Sequence, residues 1–66
     1  MLNKVKAYRL TKEMTQQELA DLLGVSRQTI FSIETGKYVP STILAIKIAS
    51  LFKKKVEDLF TLESND

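Results

Sequence analysis

Helical periodicity, a hydroxyl cap ahead of each central helix and two glycines at helix ends predict an all-α fold of five short helices for this 66-residue chain. At this length a domain buries only roughly 60% of the surface its unfolded chain exposes, and the local contacts of helices make economical use of it. The first helix, about Asn3 to Lys12, carries Val5, Tyr8 and Arg9 at helical spacing. The second, about Gln16 to Leu23, opens with a capping box in which Thr15 accepts from the backbone of Glu18 and Glu18 reaches back. Leu19, Ala20 and Leu23 form its apolar stripe, and Gly24 ends it by taking the left-handed conformation without steric cost. Ser26 caps the third helix, about Arg27 to Thr35, which Gly36 ends. Pro40 and Ser41 announce a fourth, about Thr42 to Phe52, with a broad apolar face of Leu44, Ala45, Ile48, Ala49, Leu51 and Phe52. A last helix, about Val56 to Phe60, offers Val56, Leu59 and Phe60. Beyond it, the alternation of Phe60 and Leu62 allows a brief extended segment in the tail.

Composition narrows the chemistry. Without cysteine or histidine, disulfides, the common zinc sites and histidine-dependent triads are excluded. There is no glycine-rich phosphate loop and little room for a cleft, so the reading is a non-enzyme that needs no metal or cofactor, with no small-molecule ligand evident. No apolar run approaches the roughly 20 residues that span a bilayer, and Met1 to Arg9 lacks a signal-peptide core. The expected location is cytoplasmic, away from membranes. The net charge of +2 hides an asymmetry. Residues 1–55 hold ten basic against four acidic residues, a balance of +6, whereas 56–66 hold four acids and no base. A basic body suits a polyanion, and an acidic end is kept away from one.

The third helix has a side that the core does not use. At 100° per residue from Arg27, Ile30 falls at about 300° and Ile33 at about 240°, which defines the buried side. The opposite side collects Arg27, Gln28, Phe31, Ser32 and Thr35. Arginine bonds bidentately to guanine, glutamine to adenine, a hydroxyl to either, and an apolar ring rests on a thymine methyl. Phe31 interrupts this polar side, and two placements fit it: against a groove, or sideways on a neighbouring helix or a second copy. The free amides that open the second helix suit a phosphate, beside Gln16 and Gln17. A glutamine there binds a phosphate oxygen and also braces a residue of the next helix. Lys37 and Tyr38, just after the third helix, are placed for the backbone farther along, where contacts fix register without reading sequence. Glu34 lies close to the buried side and needs a partner; Arg9 is the candidate for a structural ion pair.

With these residues in hand, the chain resembles the phage-repressor family, the Cro and lambda-repressor type of helix-turn-helix. The matching stretches are TQQELADLLGVSRQTIFSIETGKYVPS, then AIKIASLF and VEDLF, within residues 4–60. The resemblance implies a compact five-helix lambda-repressor-like domain over 4–60, a helix-turn-helix at about 16–35, and an acidic tail at 61–66. It implies a repressor that binds double-stranded DNA, usually as a homodimer on a two-fold operator. By position it implies that Gln16 touches phosphate and that Arg27, Gln28, Phe31 and Ser32 face the groove as base contacts; Gln17, Ser26, Lys37 and Tyr38 are the further backbone candidates. It also supports the Arg9–Glu34 pair. Phe60, Leu62, Val56, Leu59 and Ile43 are the dimer candidates; Val56, Leu59 and Phe60 also suit the monomer core, which is the better place for Val56 and Leu59, and Ile43 suits an isolated surface position. A rival reading is a protein-interaction module such as an antitoxin or bridging factor, which a hydrophobic third helix would favour. Two departures stand out: Glu13 where the family favours glycine, and Lys55 where the last helix usually has a hydroxyl cap.

Overall fold

The computed structural model describes residues 1–66 and contains five helices and a two-stranded ribbon. In chain order these are β1 (Leu2–Asn3), α1 (Val5–Thr11), α2 (Gln16–Leu23), α3 (Arg27–Glu34), α4 (Thr42–Phe52), α5 (Val56–Leu59) and β2 (Phe60–Thr61). The helical body agrees with the sequence, and the extended segment after α5 is present. Its partner, β1, is a finding of the structure: Leu2 pairs with Thr61 and Asn3 with Phe60, antiparallel. Consequently α1 begins at Val5 and not at Asn3. Asn3 is fixed in extended form because its Oδ1 accepts from the Val5 N–H at 3.1 Å while its Nδ2 donates to the Ile33 carbonyl at 2.9 Å. Next along, the Lys4 N–H donates to the Leu59 carbonyl at 2.8 Å. Together these bonds tie the start of the chain to α3 and α5.

The caps form as their residue types dictate. In α2 the Glu18 N–H donates to Thr15 Oγ1 at 3.0 Å, and Glu18 Oε1 accepts from the Thr15 N–H at 2.9 Å. Ser26 Oγ accepts from the Thr29 N–H at 3.1 Å, and Ser41 Oγ from the Leu44 N–H at 3.2 Å. Gly24, at φ 72°, turns the chain between α2 and α3 in the left-handed region. Glu13 (φ 55°) and Lys53 (φ 56°) enter that region without glycine's freedom, so the family's preference for glycine at the first position has a steric basis here. At α5 only half a capping box exists. Asp58 Oδ2 accepts from the Lys55 N–H at 3.1 Å, but an ammonium has no lone pair to return.

The core is continuous. The stripe Leu19, Ala20, Leu23 of α2 joins Ile30 and Ile33 of α3, Leu44, Ile48, Ala49 and Phe52 of α4, Val5, Leu59 and Phe60. Val5, Leu19, Ile30, Ile33, Ile48 and Leu59 are fully enclosed. Two of the dimer candidates are therefore core residues: Leu59 is wholly covered by its own chain and Phe60 is 8% exposed. A four-residue α5 has one apolar side, and the core takes it. Ile43 and Leu62, at 72% and 76%, remain open, with Val56 half-buried between these extremes.

Candidate nucleic-acid interface

The wheel drawn for α3 describes its actual orientation. Ile30 and Ile33 are fully buried, and Arg27, Gln28 and Phe31 are exposed, with Ser32 half-buried beside them. Phe31 retains 40% of its surface in solvent. That exposure leaves the ring accessible to a groove or to a second copy. The side is donor-rich, carries the arginine at the first turn, and its helix is capped at Ser26, whose Oγ accepts from the Thr29 N–H.

A chain of polar contacts runs beneath it. Arg9, 7% exposed, donates from Nε to Glu34 Oε2 at 2.7 Å and from Nη2 to Glu34 Oε1 at 3.1 Å. Its Nη1 donates to the Met14 carbonyl at 2.7 Å, which ties α1 to the turn before α2. The predicted ion pair is therefore present in the bidentate form that matches the two planar groups. No buried side-chain nitrogen or oxygen in the molecule lacks a partner. Glu34 Oε1 also accepts from Gln16 Nε2 at 3.1 Å, and Gln16 Oε1 lies 3.4 Å from Arg27 Nη1. The brace between α2 and α3 anticipated for Gln16 thus reaches Arg27. Its inward link to Glu34, 18 residues away, was not foreseen, and no local sequence pattern encodes it.

The remaining candidates divide by how freely they project. Lys37 and Tyr38 are exposed beyond the end of α3, where their N–H groups both donate to the Ser32 carbonyl, at 2.9 and 3.2 Å. That turn fixes where the charge and the phenol emerge. Tyr38 lines a shallow depression with Gln28, Thr29 and Ser32 along one flank of α3. Gln17 is engaged along its own helix, donating to Asp21 Oδ1 at 2.9 Å. Ser26 Oγ is 2.9 Å from Thr29 Oγ1 in addition to its capping role. The second N–H of Gln17 remains free for a phosphate, and Ser26 meets one by redirecting its hydroxyl.

A helix-turn-helix family model matches residues 5–59, from the start of α1 to the end of α5. This chain belongs to the helix-turn-helix family. It is 54% identical over 66 residues to an HTH-type transcriptional regulator of Methanocaldococcus jannaschii, covering 100% of both chains. It is 47% identical over 66 residues to the HTH-type transcriptional regulator YgzD of Bacillus subtilis, again with 100% of each covered. Among solved structures, the solution structure of the SOS-response transcriptional repressor LexA from Eubacterium rectale superposes with a TM-score of 0.81 at 27% identity. That match covers 94% of this chain and 66% of the LexA chain. The phage-repressor resemblance read from the sequence is borne out.

Proposed function

We propose that this chain is a sequence-specific DNA-binding transcriptional regulator, a cytoplasmic homodimeric repressor that occupies a two-fold operator. The observation that carries the reading is the outward side of α3. Arg27, Gln28 and Phe31 are exposed together on a helix whose other side is locked into the core. In this reading Arg27, Gln28 and Ser32 bond base edges in the major groove, and Phe31 rests on a thymine methyl. Gln16 and Lys37 hold phosphates on either side, with Tyr38, Gln17 and Ser26 adding to the backbone contacts and so to register. Ile43, Leu62 and Val56, with the rim of Phe60 and supported from beneath by Leu59, form the contact between copies. Two α3 helices then enter successive major grooves roughly 34–36 Å apart.

Selection of bound duplexes from a random oligonucleotide pool tests the proposal. Two inverted half-sites spaced by about one helical turn are expected. Recovery of no consensus, with the chain binding every duplex alike or none, would remove the sequence-specific regulator.

A further inference from the structure

We infer that the lysines of α1 and of the segment after α4 form a second DNA-contacting surface. It binds the phosphate backbone of another duplex without regard to sequence, so that a copy seated on its operator bridges two segments of DNA. The inference goes beyond the reading given above and rests on it only for the first duplex.

The starting observation is where the positive charge lies. Of the chain's ten basic residues, Arg9 is committed to the buried pair, and only Arg27 and Lys37 belong to the outward side of α3 and its exit. Most of the others gather elsewhere: Lys4, Lys6 and Lys12 on α1 or at its ends, and Lys53–Lys55 after α4. All of these are exposed, and none is ion-paired to a carboxylate. The fold brings the two groups together. Lys4, Tyr8 and Lys12 follow one another at four-residue steps along one side of α1. The Tyr8 ring lies 5.9 Å from that of Phe52 at the end of α4, and Lys54 Nζ stands over it at 5.5 Å. The Lys4 N–H donates to the Leu59 carbonyl, so the same edge adjoins α5. Contact between α1 and α3 runs instead through Arg9, and Asn3 just ahead of α1 bonds the Ile33 carbonyl. The side that carries Tyr8 therefore faces the α4–α5 junction and not the reading helix.

Local energetics do not account for this charge. Lys12 and Lys53, at C-terminal helix ends, suit the helix dipole. Lys4 and Lys6, at the start of α1, oppose it, with no acid in the first turn and no side-chain cap. Lys55 opposes it again at the start of α5. Lys53–Lys55 also repel one another. A polyanion lying across the surface would neutralise all of them together.

The chemistry selects duplex DNA over an acidic protein. Every cation is a lysine, a flexible point charge without the fork that matches a carboxylate. Tyr8, the one aromatic among them, is half-buried beneath Lys54 and leaves no apolar centre for a protein interface. Lys4 and Lys12 are about 12 Å apart along the axis of α1, with Lys54 over the midpoint. Charges spread in this way suit a lattice of phosphates, where each contact adds affinity and none reads a base.

The test uses the whole chain with two duplexes: the short operator selected from the random pool, immobilised, and a labelled duplex of unrelated sequence in solution. Operator affinity is measured separately by anisotropy. With the operator saturated, the wild type should capture the second duplex at low salt. Lys4→Gln, Lys12→Gln and Lys54→Gln combined should lower that capture at least tenfold at about 50 mM salt and flatten its salt slope by about three units. Operator affinity should stay within about twofold, and the melting temperature close to that of the wild type. If the triple variant fails to fold, the Lys4→Gln, Lys12→Gln pair leaves Lys54 over Tyr8 and should flatten the slope by about two units. Operator binding without capture, or capture that the lysine variant keeps in full, would overturn the second surface and leave the regulator intact. If anisotropy finds no duplex preferred over another, the DNA reading itself fails, and the bridging role with it.

Discussion

Arg27 and Lys37 carry the same charge in different settings, and their losses should look different. Arg27 stands on the first turn of α3 with a planar fork, whereas Lys37 is a flexible point charge beyond the end of that helix. Arg27→Ala should weaken the best site by about 1–3 kcal/mol and relax preference at one base pair. Lys37→Ala should weaken all duplexes alike and flatten the dependence of log affinity on log salt by about one unit. Titrations across salt and operator variants separate the two, and matching profiles would contradict the division. At this scale much was legible beforehand. The orientation of α3 followed from two isoleucines three residues apart, and the Arg9–Glu34 pair from an acid placed too near the buried side. The Gln16–Glu34 bond was not legible, because it depends on how α2 approaches α3 and not on spacing within either helix.

Among the elements, the α2–α3 joint is the tightest place to perturb. Ala20 is fully buried beside Leu19 and Leu23, and its carbonyl accepts from the Val25 N–H at 3.0 Å across the turn. Ala20→Leu has no space to enter and should cost about 1–3 kcal/mol by overpacking, read as a lowered melting temperature. Full retention of stability would mean that the helices part more easily than their burial suggests. The turn before α2 offers the opposite change. Glu13 is exposed and held at φ 55°, where a side chain crowds the backbone, so Glu13→Gly should stabilise by up to about 1 kcal/mol. In a domain of this size that raises the melting temperature by roughly 4–8 °C. Helices α2, α3 and α4 were readable because each announces itself with a side-chain cap. The ribbon was not, since strands of two residues carry no periodicity and their pairing joins opposite ends of the sequence. The same pairing explains why α1 starts later than its composition suggested.

For the molecule as a whole, the uneven charge acquires a location. The Met1 ammonium donates to Glu63 Oε1 at 2.8 Å and lies 3.2 Å from the Asp66 carboxylate. Asp66 in turn accepts from the Glu63 N–H at 2.7 Å. The hydrogen bond to Glu63, then that to Asp66, raises the ammonium pKa above its ordinary 8.0. The Glu63 backbone N–H, then the ammonium, lowers that of Asp66 below 3.8. Raised amine and lowered acid act at opposite ends of the pH scale. The ammonium's contribution is complete below 8.0 and is lost as pH climbs through its raised value; that of Asp66 is complete above 3.8 and is lost as pH falls through its lowered value. The Glu63 amide resonance should therefore be steady near neutrality and shift at both extremes, and a resonance that follows neither step would show the clasp to be absent in solution.

Because the Met1 nitrogen lies 3.2 Å from an Asp66 side-chain oxygen, a short linker would join residues 1 and 66 into a ring. Such a linker would turn the Met1 ammonium into an amide and remove its ionic contacts to Glu63 and Asp66, while the entropic restriction would fall on the unfolded ensemble. The loop so closed spans residues 1–66, and the entropic gain from closure grows with loop length in principle. A circular version of this fold would withstand heating better than the open one while leaving the outward side of α3 unchanged.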